Sequence, residues 1–374
     1  MELNQTKPHY EILDGLRGVA AIMVVFFHVF EVFSNGDHTK QIINHGYLAV
    51  DFFFMLSGFV ISYAYDNRWN TMTLKDFFIR RLVRLQPMIV IGSLVGAALF
   101  YFQHSPDLGW GRIAEVPVWK LIVVMLIGMT IFPVGKSLDI RGWGEMHPLN
   151  GPGWSLFFEY IANIVYALIL RRLSTAILVI LTVIAAGFTI NLAFTNPNGD
   201  IIGGWSIDNP VQLKIGFTRL AFPFLAGIVL AKTLKLKFTA KSFLTTSVLL
   251  ILILAIPRIG GKSDHWQNAL YECFTLFIVF PFIIWLGAGG KVVGEKANKF
   301  CKFLGDISYP IYITHFPIVY VFYAWVVNGK NSMEDSWLQG LLTVIVSIAF
   351  AYASMRLYDI PVRKWLTKML ITKR

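Results

Sequence analysis

The feature that most constrains this chain is a succession of apolar runs, each about as long as a bilayer is thick. A hydrocarbon core of ~30 Å takes about 20 mostly apolar residues per helix, at ~1.5 Å of rise per residue. Such runs recur at 16–34, 46–65, 85–103, 153–171, 174–194, 215–233, 242–257, 268–288, 304–327 and 337–358, with short connections. A further run, 119–134, is shorter. Apolar residues make up 56% of the chain and charged ones only 15%, which excludes an ordinary soluble domain. The expected fold class is all-α: a polytopic integral membrane protein with about ten transmembrane helices plus one re-entrant or interfacial helix. No repeat or low-complexity tract interrupts the pattern, so residues 1–374 read as a single transmembrane domain. Polar residues precede the first run and no small-residue cleavage site follows it, so that helix is expected to be retained as a signal anchor.

The net charge of +11 would suit a nucleic-acid partner, but its placement points to a membrane instead. Lys and Arg gather in short loops: Arg68, Lys75, Arg80, Arg81 and Arg84; Arg171 and Arg172; Lys232, Lys235, Lys237 and Lys241. Two more clusters are Lys291, Lys296, Lys299 and Lys302, then Arg363, Lys364, Lys368, Lys373 and Arg374. The positive-inside rule puts all of them on the cytoplasmic side. That parity requires one apolar run between Arg84 and Arg171 not to cross, and 119–134 is the shortest. Both termini are then cytoplasmic, and the Trp-, Pro- and Gly-rich stretch 102–151 lies mainly on the far side. Cys273 and Cys301 fall on opposite sides and cannot pair. With no CxxC arrangement, neither a metal site nor a disulfide framework is expected.

Ionisable residues within membrane helices are costly, so each is a functional candidate. The first helix carries Asp14, Arg17, His28 and Glu31. At about 100° per residue, Arg17 and His28 share a face, with His28 roughly 16 Å deeper. Glu31, one turn beyond His28, is placed either to orient the imidazole or simply to lie near the far surface. In GYLAVDFFFMLSGF, Asp51 is expected near the membrane edge, and Ser57 and Gly58 permit close helix approach. Arg81 and Arg84 stand one turn apart at a predicted cytoplasmic entrance, where guanidinium forks suit a phosphate; topology alone also accounts for basic residues there. HPLNGPGWSLFFEY brings Trp154 to the interface and Glu159 into the membrane, one turn after Ser155. LGDISYPIYITHFP gathers Ser308, Tyr309, Tyr312 and His315 within two turns.

In combination and order, these motifs resemble the acyltransferase-3 family of membrane-bound enzymes, which commonly O-acylate carbohydrates. The resemblance runs over residues 10–365. It rests on LDGLRGVAAIMVVFFH, an Arg-x10-His signature through Arg17 and His28, then VDFFFMLSGF and the Arg-x-x-Arg pattern of Arg81 and Arg84. NGPGWSLFFE, LGDISYPIYITH and YDIPVRKW follow in the family's order. Met88 and Ile89 stand where an aromatic is common, and Asp359 replaces a frequent Glu. The resemblance implies an acyl-CoA co-substrate, above all acetyl-CoA, and a hydroxyl acceptor on a carbohydrate or glycoconjugate. Some relatives carry an additional SGNH-type domain; the chain reads as the stand-alone form.

Acyl transfer needs a base, charge stabilisation for the oxyanion and a grip on the donor. His28 is the expected general base, with Arg17, Arg81 and Arg84 holding donor phosphates. Glu159 and His315 are candidates to orient base or acceptor, and Tyr309 or Ser57 to donate to the oxyanion. Trp143, His147 and Trp154 are candidates to contact the acceptor, although aromatic residues belong at any membrane interface. Asp14, Glu31 and Asp51 are supporting residues. The alternative is a proton-coupled secondary transporter of a small polar or sugar-like solute, which also needs intramembrane acids and bases.

Overall fold

The structure is a computed structural model that describes residues 10–196, 200–234, 239–240, 242–261 and 264–371. Of the charged clusters, Lys235, Lys237, Lys241, Lys373 and Arg374 lie outside the described residues. The helices are α1 (Glu11–Glu31), α2 (Ala49–Tyr65), α3 (Leu74–Leu99), α4 (Val118–Gly128), α5 (Gly153–Leu168), α6 (Thr175–Thr195), α7 (Pro210–Thr233) and α8 (Ser242–Ala255). There follow α9 (His265–Phe274) and α10 (Phe280–Ala288), then α11 (Glu295–Gly329), α12 (Met333–Ser354) and α13 (Ile360–Leu370). A π-helical turn joins α9 to α10 and another joins α12 to α13. Each precedes a proline, Pro281 or Pro361, whose missing N–H breaks the regular ladder there. The only strand pairing among the described residues is a two-residue parallel bridge between Thr239–Ala240 and Gly290–Lys291.

The chain is thus an all-α polytopic membrane protein, with nine helical spans among the described residues long and apolar enough to cross a membrane. The helix at 242–257 is the shortest of the expected ten, at 14 residues or ~21 Å. Its first turn packs beside the start of α1, where Phe243 and Gly15 meet. At its far end the Ile256 carbonyl takes a hydrogen bond from His45, at the approach to α2. It therefore lies between the start of α1 and the approach to α2, and is shorter than the nine spans. The 119–134 run forms only an 11-residue helix, α4, too short to span. Just after it the chain turns at Ile131 with φ of +64°, a costly conformation for a β-branched residue, with the side chain buried beneath.

Helix starts follow local rules. Thr73 and Asp76 close a capping box on α3, Ser174 caps α6, and Asn209 followed by Pro210 opens α7. Close approach is set by glycine: a Cβ at Gly58 would lie 2.1 Å from the Phe224 carbonyl, and one at Gly18 2.2 Å from that of Leu304. These contacts bring α2 against α7 and α1 against α11. Pro317, inside α11, frees the Ile313 carbonyl four residues earlier, and Asn150 Nδ2 donates to it at 2.8 Å. One unmet backbone acceptor thereby pins the 134–152 segment onto α11.

Candidate active site

The α1–α11 contact carries the first group of site residues. His28 Nδ1 lies 2.8 Å from Glu31 Oε2, one turn away on the same helix. The carboxylate accepts the Nδ1 proton, so the lone pair is left on Nε2. Tyr323 Oη is 2.7 Å from both the His28 carbonyl and Glu31 Oε2, with one proton to give between them. The His28 ring meets the edge of Phe316 at 4.5 Å and stacks on His315 at 5.6 Å between centroids. His315 is fully buried. Its Nδ1 faces the carbonyls of Ile311 and Tyr312 at 2.9 and 3.0 Å, leaving Nε2 without a partner.

Toward the start of α1 lies the second group. Arg17 Nη1 donates to Asp14 Oδ1 at 2.9 Å, and the charges of Arg84, Glu159 and Arg81 all act on Arg17. Arg81 Nη2 and Ser57 Oγ both donate to Glu159 Oε1, at 2.8 and 3.0 Å. Arg84 is exposed. Three guanidiniums against two carboxylates leave this end of the site positive, as an anionic ligand requires. The two groups are linked by Tyr312, whose hydroxyl meets Ser155 at 2.6 Å, one turn from Glu159 and one turn from His315.

Some residues singled out in the sequence stand elsewhere. Glu159 does not orient His28; Glu31 does. Tyr309 donates to the Leu85 carbonyl at 2.7 Å, bracing α11 on α3, and Ser57 spends its proton on Glu159. Asp51 is not at an edge: it is fully buried and takes two bonds from Arg219, at 3.3 and 2.7 Å. Trp154 is buried as well, with its ring 5.1 Å from that same guanidinium. Arg219 sits in the apolar run TRLAFPFL, where the cost of an intramembrane charge marks it as a functional candidate just as it marks His28.

On the 134–152 segment, His147 is buried with neither ring nitrogen partnered, beside Asn150 and Ser93 in a cavity of about 20 Å³, room for one water. Burial lowers its pKa from 6.5 to about 4. Glu145 accepts from Tyr320 at 2.8 Å, and burial raises its carboxyl from 4.5 to about 7 against the opposing pull of Arg141. Arg141 and Glu145 escaped sequence reasoning because loop residues carry no periodic signal, and Tyr323 because an aromatic residue inside an apolar helix reads as ordinary packing.

Fold and charge placement define a polytopic membrane protein that holds an imidazole–carboxylate pair above a cluster of guanidiniums. The chain belongs to the acyltransferase-3 family: residues 10–356 match its acyltransferase domain. Protein 2 in picA locus of Rhizobium radiobacter is 33% identical over 171 residues, 44% of this chain and 85% of that protein. The O-acetyltransferase OatA of Staphylococcus aureus is 24% identical over 368 residues, 94% of this chain. The match spans only 57% of OatA's own length. No solved structure matches the chain.

Proposed function

We propose that the protein moves an acyl group, acetyl above all, from acyl-CoA to a hydroxyl of an extracytoplasmic carbohydrate or glycoconjugate. The observation that carries this reading is the His28–Glu31 pair, with Nε2 left basic, on the helix whose first turns hold Arg17. The name of OatA supports O-acetyl transfer. In this reading the guanidinium end faces the cytoplasm of a cell-membrane protein with both termini inside. Arg17, Arg81 and Arg84 hold the donor's phosphates, and the roughly 16 Å to His28 is spanned by the donor's thioester arm.

The acceptor hydroxyl attacks the thioester carbonyl while His28 Nε2 takes its proton. Glu31 fixes the imidazole orientation and stabilises the imidazolium that forms. The tetrahedral intermediate collapses, the C–S bond breaks, and the imidazolium returns the proton to the thiolate. The products are the ester and free CoA thiol, with no net proton released.

The test is thiol release from acetyl-CoA by purified protein, with and without a panel of glycans. Acceptor-dependent release that disappears in His28→Ala while donor binding persists is the expected result. A folded wild-type protein that neither binds acyl-CoA nor releases thiol would sink the reading.

A further inference from the structure

The loop 139–145, DIRGWGE, is wound around a single carboxylate. Asp139 Oδ1 accepts the N–H groups of Arg141 and Gly142 at 3.0 and 2.8 Å, and Oδ2 accepts that of Gly144 at 2.9 Å. Gly142 and Gly144 have φ of +101° and +69°, values glycine adopts without strain. The winding buries Arg141 and Glu145 and leaves Trp143 44% exposed.

Arg141 sits over the rings of Tyr320 and Trp110, at 4.1 and 4.5 Å. Its Nε and Nη2 donate to the Pro148 carbonyl, and Nη2 also to Gln103, but Nη1 is buried without a partner. Glu145 is more than nine-tenths buried; Oε1 takes the Tyr320 hydroxyl, while Oε2 has no hydrogen bond and lies 3.8 Å from Arg141 Nε. Arg141 Nη1 and Glu145 Oε2 are thus a buried donor and a buried acceptor on an ion-paired couple, each without a hydrogen bond, an arrangement that is costly unless something completes it. Sugar hydroxyls both donate and accept, so a pair of them completes both atoms. The Trp143 ring, 4.9 Å from Trp110 and held by its Nε1 bond to the Leu108 carbonyl, offers an apolar face for a pyranose ring. Because the carboxylates of Asp139 and Glu145 both flank Arg141, its charge is offset and the fitting ligand is neutral; a phosphate or uronate would meet those carboxylates.

The loop adjoins the His28 pair. Tyr320 packs on Phe316 at 4.3 Å and on Tyr323 at 6.1 Å, and Tyr323 is bonded to Glu31. The charge of Glu31 reaches Glu145 as well.

We propose that Arg141, Glu145 and Trp143 form a subsite for a neutral carbohydrate, holding it as the acceptor beside His28. The word acceptor rests on the acyl-transfer reading; the binding itself does not. The experiment displays neutral and anionic oligosaccharides on an array and probes them with the detergent-solubilised full chain, without acyl-CoA. Wild-type protein is expected to retain one or more neutral glycans, and Glu145→Gln and Trp143→Ala to bind the same glycans at least tenfold more weakly. Trp143→Ala removes an exposed side chain, so its fold is kept, as thermal melting would verify. Absence of neutral-glycan binding by wild type, a preference for anionic glycans, or unchanged binding by both variants would each overturn the subsite. Glycan binding with no thiol release would instead refute acyl transfer and keep the subsite.

Discussion

Replacing Glu31 by Gln tests the centre of the mechanism with little change in shape. In the structure Glu31 Oε2 serves both His28 Nδ1 and Tyr323, at 2.8 and 2.7 Å. The amide oxygen of Gln can still accept both bonds, so the variant removes the charge and little else. Two unit charges ~4 Å apart interact by about 4 kcal/mol at an effective dielectric of 20, which bounds what the carboxylate gives a forming imidazolium. The pair is not sealed from solvent, with side chains 17% and 28% exposed, so screening lowers that figure. The lower bound is the difference between a charge-assisted and a neutral hydrogen bond, about 1.5 kcal/mol. The expected loss is therefore ~10- to ~1,000-fold in kcat, with acyl-CoA affinity unchanged. Glu31→Ala should fall further, because nothing then selects the imidazole tautomer. The assay is initial-rate thiol release at saturating donor, alongside equilibrium donor binding. Wild-type kcat in Glu31→Gln would refute the reasoning, as would a loss of donor binding as large as the loss of rate.

The remaining predictions concern stability and pH. Asp51→Asn leaves the Arg219 guanidinium buried without its counter-charge, and about 3–5 kcal/mol of destabilisation is expected in detergent melts; an unchanged melting temperature would contradict the pairing. Gly58→Ala puts a Cβ 2.1 Å from the Phe224 carbonyl, and about 1–3 kcal/mol should be lost as α2 is pushed from α7. Glu145 and His147 act oppositely with pH. Glu145, raised from 4.5 to about 7, binds more protons folded than unfolded in that interval, so its contribution is present below the interval and falls by about 3 kcal/mol as pH rises through it. His147, lowered from 6.5 to about 4, contributes in full above that interval and loses about 3 kcal/mol as pH falls through it. The two slopes nearly cancel in the wild type. Glu145→Gln should therefore unmask stability that rises with pH, and His147→Leu stability that falls with it; parallel curves for both variants would refute the assignment.

Much of the fold was legible because a bilayer imposes a length and a polarity on every crossing. Each expected run carries a helix, and the one judged too short to cross, 119–134, contains only the 11-residue α4. Arg17, His28 and Glu31 were equally readable as a set, since they share one helix whose period puts Arg17 and His28 on one face about three turns apart and Glu31 one turn beyond His28. The partnerships across helices were not. Helical spacing says which face a side chain occupies, but which helix packs against that face depends on where glycines such as Gly18 and Gly58 let backbones meet. Only that packing decided that Glu159 answers Arg81 rather than His28, that His315 stacks on His28, and that Asp51 is balanced by Arg219. The loop around Asp139 lay furthest from sequence reasoning. Its geometry comes from hydrogen bonds to backbone N–H groups and from glycines with positive φ, and neither leaves a periodic trace in the chain.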